Sequence, residues 1–233
     1  MSDRLTPRSA PRLVSLVVDV VLFTPRGSAL AVLLTGAGSA NTASASRARP
    51  RGATLPSDVL RADESLDDAA ARIARETLGG APSLLDQAGS RGGSRKQPDG
   101  AQVTVIYFAL VPGADAPANA NWVALSDLPV MSARQRDEIE AAVTAMRARV
   151  DQQPIAFRLL PSAFTLSELQ SVYELLLGRR LHKASFRRSL HASSLVEATD
   201  EWRSEGRGRP AQLFRYAPPR RRRQRRGIRF DLL

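Results

Sequence analysis

Leu55-Pro56-Ser57-Asp58-Val59-Leu60-Arg61-Ala62-Asp63-Glu64-Ser65-Leu66-Asp67-Asp68-Ala69-Ala70-Ala71-Arg72-Ile73-Ala74-Arg75-Glu76-Thr77-Leu78-Gly79 holds the helix on which the fold turns. The helix is expected over about Leu66 to Leu78. Ser65 is placed to cap it, and Asp67 and Asp68 suit the positive end of its dipole. Taken alone, the segment also fits an ordinary surface helix with an acidic first turn, so the flanking chain has to decide.

Outward from this helix the chain alternates strand and loop signals. Val14 to Phe23 is rich in β-branched residues, and Ala29 to Thr35 reads as its antiparallel partner across the turn Pro25-Arg26-Gly27. Gly36 to Gly52 and Gly89 to Gly100 are small, polar and glycine-containing, and are expected as loops. Gln102 to Val111 is a strong strand, Trp122-Val123 a short one, and Ala133 to Val150 a charged helix with Ile139, Val143 and Met146 on one face. The order is hairpin, helix, strand and closing helix.

The 233 residues are 43% hydrophobic, enough for a real core, and contain no cysteine, which excludes disulfides and thiolate metal sites. His182 and His191 cannot form a zinc site by themselves. The longest apolar runs, Leu16 to Phe23 and Ala29 to Leu34, are too short to span a bilayer, and residues 1–12 lack the features of a signal peptide. A cytoplasmic protein without a membrane partner is expected. The net charge of +11 is unevenly spread: residues 161–233 hold 16 Lys and Arg against 7 Asp and Glu. Such asymmetry points to a polyanion partner for the last third. Six of those charges lie in Arg220 to Arg226, which also fits a solvated basic tail.

Beyond residue 160 the chain becomes helical and basic. Thr165 to Leu177 opens with a capping box, Thr165 and Glu168, presents Leu166, Leu169, Val172, Tyr173 and Leu176 on one face, and stops at Gly178. His182 to Ala192 is a second helix whose Phe186 and Leu190 pack inward, leaving Lys183, Ser185, Arg187, Arg188 and His191 outward. Leu195 to Trp202 and Gln212 to Tyr216 read as a hairpin around a loop that contains Arg207 and Arg209. Two helices and a basic hairpin are the layout of a winged helix. Lys183, Arg187 or Arg188 would meet guanine edges or phosphates in the major groove, and Arg207 and Arg209 the backbone or minor groove.

Two stretches carry a family resemblance. Residues 58–80 resemble the Nudix box, G-x5-E-x7-R-E-U-x-E-E-x-G-U with U aliphatic: Glu64, Arg72, Glu76 and Gly79 match. Asp58 replaces the first glycine, Ile73 and Thr77 replace two of three helix glutamates, and Gly80 replaces the last aliphatic. The segment Leu159-Leu160-Pro161 through Phe164-Thr165-Leu166-Ser167-Glu168-Leu169, Phe186-Arg187-Arg188 and Gly208-Arg209-Pro210-Ala211 resembles the C-terminal domain of the Nudix-related transcriptional regulators. The resemblance covers about residues 13–217. It implies an α+β chain, a Nudix-like α/β/α sandwich followed by a winged helix-turn-helix. The implied function is a homodimeric repressor that binds double-stranded DNA and senses a small metabolite, ADP-ribose or NAD being typical and NAD metabolism a common target.

Three carboxylates at i, i+3 and i+4 share one helix face, and Mg²⁺ needs several such oxygens to activate water on a diphosphate. Positions 73, 76 and 77 retain one, so no catalysis, no metal and no cofactor are expected. Arg72, Glu76 and Arg95 are the expected effector contacts. Lys96-Gln97-Pro98-Asp99-Gly100-Ala101 stands where family members often carry Arg-Asp-Pro-Arg-Gly-Arg. The competing reading is a metal-dependent Nudix hydrolase with an appended nucleic-acid-binding domain. The expected organisation is a disordered N-terminus over 1–12, a ligand-sensing domain over 13–150, a linker over 151–160, a winged helix over 161–217 and an Arg-rich tail over 218–233.

Overall fold

The computed structural model describes residues 14–36, 52–92, 101–204 and 210–217. Strand β1 (Val14–Arg26) pairs in parallel with β7 (Ala101–Leu110) along ten residues and antiparallel with β2 (Ala29–Leu33), so the first hairpin forms as the sequence predicts, with Arg26 opposite Ala29. Gly27 adopts a φ of 58° at the turn, where a side chain is disfavoured. Two short strands, β3 (Thr35–Gly36) and β4 (Ala53–Thr54), pair with each other, and β5 (Ser57–Val59) pairs with β1 at Val17 to Asp19. With β6 (Leu84–Gly92) and β8 (Trp122–Ala124) the main sheet runs β6-β7-β1-β2-β8, with β5 beside β1.

The sheet is covered on both faces, so alternate residues of β1 and β7 meet different layers. Val18, Val20, Leu22, Val105, Tyr107 and Ala109 face α1 (Leu66–Leu78), which contributes Ala69, Ala70, Ile73 and Ala74. Val21, Phe23, Ile106, Phe108 and Leu110 face α2 (Ala133–Gln152), which contributes Ile139, Ala142 and Met146. The Ser65 hydroxyl accepts from Asp68 N–H at 3.1 Å, and Gly79 ends α1 with a φ of 74°.

Two expectations are corrected. The loop expected over Gly89 to Gly100 is corrected at 89–92, which continue β6, with Ser90 opposite Val105 and Gly92 opposite Val103. An edge strand needs only backbone pairing on one side, so glycine and serine join it without the β-branched signature. Residues 93–100 lie outside the described residues, as do 1–13 and 37–51.

The second correction concerns 151–160. These residues are not an exposed linker: 151–152 finish α2, and Ile155–Leu159 form a 3₁₀ turn in which Ile155, Ala156, Phe157 and Leu159 are buried. They belong to one apolar cluster that runs from Phe23 and Met146 to Leu169 and Phe186. Phe157 packs against Phe164, Tyr173 and Tyr216 with ring centroids 5.7, 6.4 and 4.6 Å away. Composition marked 151–160 as a change of character, but burial depends on where Phe157 lands in space.

Beyond it come α3 (Leu166–Leu177), α4 (Lys183–Ser193) and the hairpin β9 (Val196–Arg203) with β10 (Ala211–Tyr216). The Thr165 capping box forms as read, with Glu168 N–H reaching Thr165 Oγ1 at 3.1 Å and Thr165 N–H reaching Glu168 Oε2 at 2.7 Å. Truncating a buried phenylalanine costs about 3–5 kcal/mol. Phe157→Ala is therefore expected to lower stability by that amount, read as a shifted urea midpoint. A midpoint within error of wild type would mean that Phe157 does not hold the two halves of the core together.

Candidate functional site

The turn between α3 and α4 is built to hold α4 at one angle. Gly178 ends α3 in the left-handed region, φ 68°. Glu174 then takes the Leu181 N–H at 2.9 Å, the Gln170 amide at 3.0 Å and Arg180 at 3.2 Å, while Gln170 also donates to the Leu181 carbonyl. Burial works to raise the Glu174 carboxyl, but these donors and the Arg180 charge outweigh it and leave it below the ordinary carboxylate value. Phe186 and Leu190 of α4 are buried, and the Phe186 ring meets Tyr173 edge-on at 5.8 Å.

That packing leaves the opposite face of α4 in solvent. Lys183, Arg187, Arg188 and His191 are all exposed, and Ser185 is half-buried, its hydroxyl 3.4 Å from His182 Nδ1. Four of the five helix residues read as DNA-facing are thus exposed as the spacing predicts, and Ser185 is only partly so. His182, absent from that set, stands exposed at the N-cap, and recognition helices contact bases with their N-terminal residues. The signal for it lay in its place one residue ahead of Lys183. Arg207 and Arg209 lie outside the described residues. Strands β9 and β10 flank that segment in sequence, and Arg203 at the end of β9 donates to Glu168 Oε1 at 2.7 Å and to the Ala163 carbonyl.

The other candidate region surrounds α1. Arg72 is nearly buried, 13% exposed, and forks onto Glu64 with Nε–Oε1 at 2.7 Å and Nη2–Oε2 at 3.0 Å. It also donates to Asp58 Oδ2 at 2.7 Å. The Arg72 hydrogen bond holds the Glu64 carboxyl at about 2, below its ordinary 4.5. The same bond raises the Arg72 guanidinium. Glu76 is exposed and has Arg61 and Arg72 at 4.0 and 3.9 Å. Ile73 is buried in the core under α1, and the Thr77 hydroxyl donates to the Ile73 carbonyl at 2.7 Å. The carboxylates here converge on arginine. Among the described residues no group of three or more His, Cys, Asp or Glu is placed to hold a metal ion. Arg95 lies outside the described residues, while its neighbour Arg91 is engaged with Asp137 at 2.8 Å.

Beside the first turns of α1 an open cleft of about 680 Å³ is lined by Asp67, Asp68, Asp86, Gln87, Tyr107 and Arg149. Its polar groups are matched in pairs. Tyr107 donates to Asp67 at 2.5 Å, and Arg149 meets Asp86 at 2.5 Å. Burial, then the bond to Asp67, raises the Tyr107 phenol. Sequence reasoning missed this cleft because β6 and α2, which supply Asp86 and Arg149, are separated by some sixty residues.

Because Glu64 is depressed, it stabilises the fold above pH 4.5, and that contribution is lost as pH falls toward 2. Arg72→Ala is expected to return the Glu64 titration toward the ordinary value and to remove that part of the acid sensitivity. NMR titration of the Glu64 side chain reads the change, and an unmoved midpoint would show that Arg72 does not set it.

Comparison with known proteins agrees with this geometry. Residues 156–216 match the model for the NrtR DNA-binding winged helix domain. The chain is 33% identical over 166 residues to the ADPR responsive transcriptional repressor NtrR of Acinetobacter baylyi, a match covering 68% of this chain and 66% of that protein. Shewanella oneidensis NrtR, solved with a 27mer DNA, superposes with a TM-score of 0.71 at 29% identity over 87% of this chain and 93% of its own. A MutT/nudix family protein of Enterococcus faecalis, 19% identical with a TM-score of 0.65, shares the fold over 88% of this chain and 89% of its own. The chain belongs to the NrtR-like, Nudix-related regulators, with a C-terminal winged helix joined to a Nudix-like domain.

Proposed function

We propose that the protein is a ligand-responsive transcriptional repressor that binds double-stranded DNA through α4 and the β9–β10 wing. The observation that carries this reading is the exposed face of Lys183, Arg187, Arg188 and His191 on a helix whose other face is locked to α3 by Phe186 and Leu190. Arginine forks match guanine edges and the lysine cation matches phosphates, so the face supplies both kinds of contact. Likeness to a repressor named for its ADP-ribose response makes that nucleotide, or NAD, the effector class to try first. The protein would act in the cytoplasm as a homodimer, on two half-sites one helical turn apart. No described helix is long and apolar enough to cross a membrane.

The Nudix-like domain is proposed to sense its nucleotide without turning it over. Ile73 sits in the core, Glu64 is occupied by Arg72, and Glu76 stands between two arginines, which weakens any carboxylate cluster for Mg²⁺. Effector contacts are proposed at Arg72, Glu76 and Arg95, with Arg72 exchanging part of its present carboxylate pairing.

Coupling between the two halves has a physical route. Helix α2 is one uninterrupted element of 20 residues, about 30 Å long. It lies on the Nudix-like sheet through Ile139 and Ala142, and its Arg147 donates to the Leu176 carbonyl at the end of α3. Arg147 also packs so close to Gly178 that a Cβ there would lie 2.3 Å from its guanidinium.

Fluorescence anisotropy on the upstream DNA of its own gene and on a scrambled duplex, with and without ADP-ribose or NAD, tests the function. Selective binding altered by a nucleotide is expected, and equal affinity for both duplexes would refute the repressor reading. Arg187→Ala or Arg188→Ala is expected to lose about 1–3 kcal/mol of discrimination at one base position. Deleting residues 218–233 should instead weaken binding to both duplexes alike and flatten the salt dependence.

A further inference from the structure

A second cleft, about 340 Å³, opens where β1, β5 and β7 meet the first turns of α2. Its wall brings together two carboxyl groups from different layers, Asp19 of β1 (5% exposed) and Glu138 of α2 (0%). The two side chains are in hydrogen-bond contact. An ionised carboxylate only accepts, so a hydrogen bond between two carboxyl groups exists only while one of them carries a proton. The fold therefore holds a proton at the junction of the sheet with the helix that leads into the winged helix.

The surroundings set how firmly it is held. From α2, Arg134 Nε donates to Glu138 Oε1 at 2.9 Å and favours the ionised form. Arg91 of β6, itself engaged by Asp137, acts on Glu138 through its charge. From β5 the Ser57 hydroxyl donates to Asp19. Strand β7 contributes the neutral Gln102 and Thr104, both contacted by Arg134. Burial, together with Asp19, outweighs Arg134 and pushes Glu138 up to about 7. Because that value lies above the ordinary 4.5, the stabilisation is fully present below pH 4.5 and is lost as pH rises through 7.

What the junction controls follows from α2. Ile139, next to Glu138, packs on the sheet, and the far end of the same helix runs into the buried turn that carries Phe157. Losing the proton leaves two carboxylates in contact in a buried wall, and their repulsion works to part α2 from β1. A DNA-binding face held at one angle binds with less ordering cost than one on a loosened base. We propose that Asp19 and Glu138 form a proton-operated latch between the sheet and α2, closed while the pair holds its proton and released when both groups ionise, so that DNA binding weakens as the proton is lost. The inference rests on the DNA-binding reading above and adds a proton to what that binding senses.

Urea melts of the full chain, and anisotropy on the upstream and scrambled duplexes, test it at about pH 6 and pH 8. Wild type is expected to show a lower urea midpoint and about tenfold weaker binding to the upstream duplex at the higher pH. Glu138→Gln and Asp19→Asn each keep a donor between the two side chains at every pH, so both are expected to flatten the two slopes. A merely structural role would lower the midpoint of the variants without removing the slopes. Any slope contributed by His182 and His191 survives both substitutions, so the difference between wild type and variant isolates the latch. Circular dichroism shows which variants are folded, and Asp19→Asn carries the test if Glu138→Gln unfolds. Slopes in folded variants equal to those of wild type overturn the latch, as does a wild-type affinity that ignores pH. Equal wild-type affinity for both duplexes at both pH values overturns the DNA-binding reading instead, and the urea midpoints then still decide whether the latch exists.

Discussion

The packing of Phe157 is the contact on which the arrangement of the chain depends. Its ring sits among Phe164, Tyr173 and Tyr216, each from a different segment of the C-terminal third. The backbone that delivers it is the direct continuation of α2. A composition change at this point would ordinarily mark an exposed junction between two bodies. Here the junction is buried, and the apolar cluster passes through it without interruption. A winged helix of some sixty residues has little core of its own, and small domains are marginal because they bury a small fraction of their surface. Sharing Phe157 and Leu159 with the larger domain relieves that limit and fixes the base of α3.

The Nudix-like domain keeps its fold with two of the three box-helix glutamates replaced. The helix face that would carry three carboxylates now divides between the core and a hydroxyl–carbonyl bond. Ile73 contributes apolar burial, and Thr77 satisfies its own oxygen within α1. The box residues that remain have a structural use. Arg72 gathers Glu64 and Asp58, which pins the segment ahead of α1 to the helix itself. Asp58 stands where the box pattern has glycine, and it adds the second carboxylate to that fork. The cluster gives Glu64 and Arg72 a structural use in a chain that keeps one of the three box-helix glutamates, Glu76.

Polar groups divide differently between the two clefts. Beside α1, Asp67, Tyr107, Asp86 and Arg149 satisfy one another. Under α2, Glu138 pairs with Arg134 and lies against Asp19, like charge beside like charge.

Local signals told most of the secondary structure. Ser65, Thr165, Glu168 and Gly178 act where their chemistry places them, since caps depend on three or four consecutive residues. The strands of β1, β2 and β7 followed from β-branched runs, and the outward face of α4 from helical spacing. The departures from the box at Ile73 and Thr77 were visible by inspection. Tertiary structure alone decided the rest. It extended β6 through Gly89 to Gly92, because an edge strand is held by its neighbour's backbone. It buried Ile155, Ala156, Phe157 and Leu159, because an aromatic cluster needs partners that are distant in sequence. It joined Arg72 to Asp58, Arg91 to Asp137, and Asp19 to Glu138. The identity of each charged residue is written in the chain, but which charged partner it meets depends on how the layers stack.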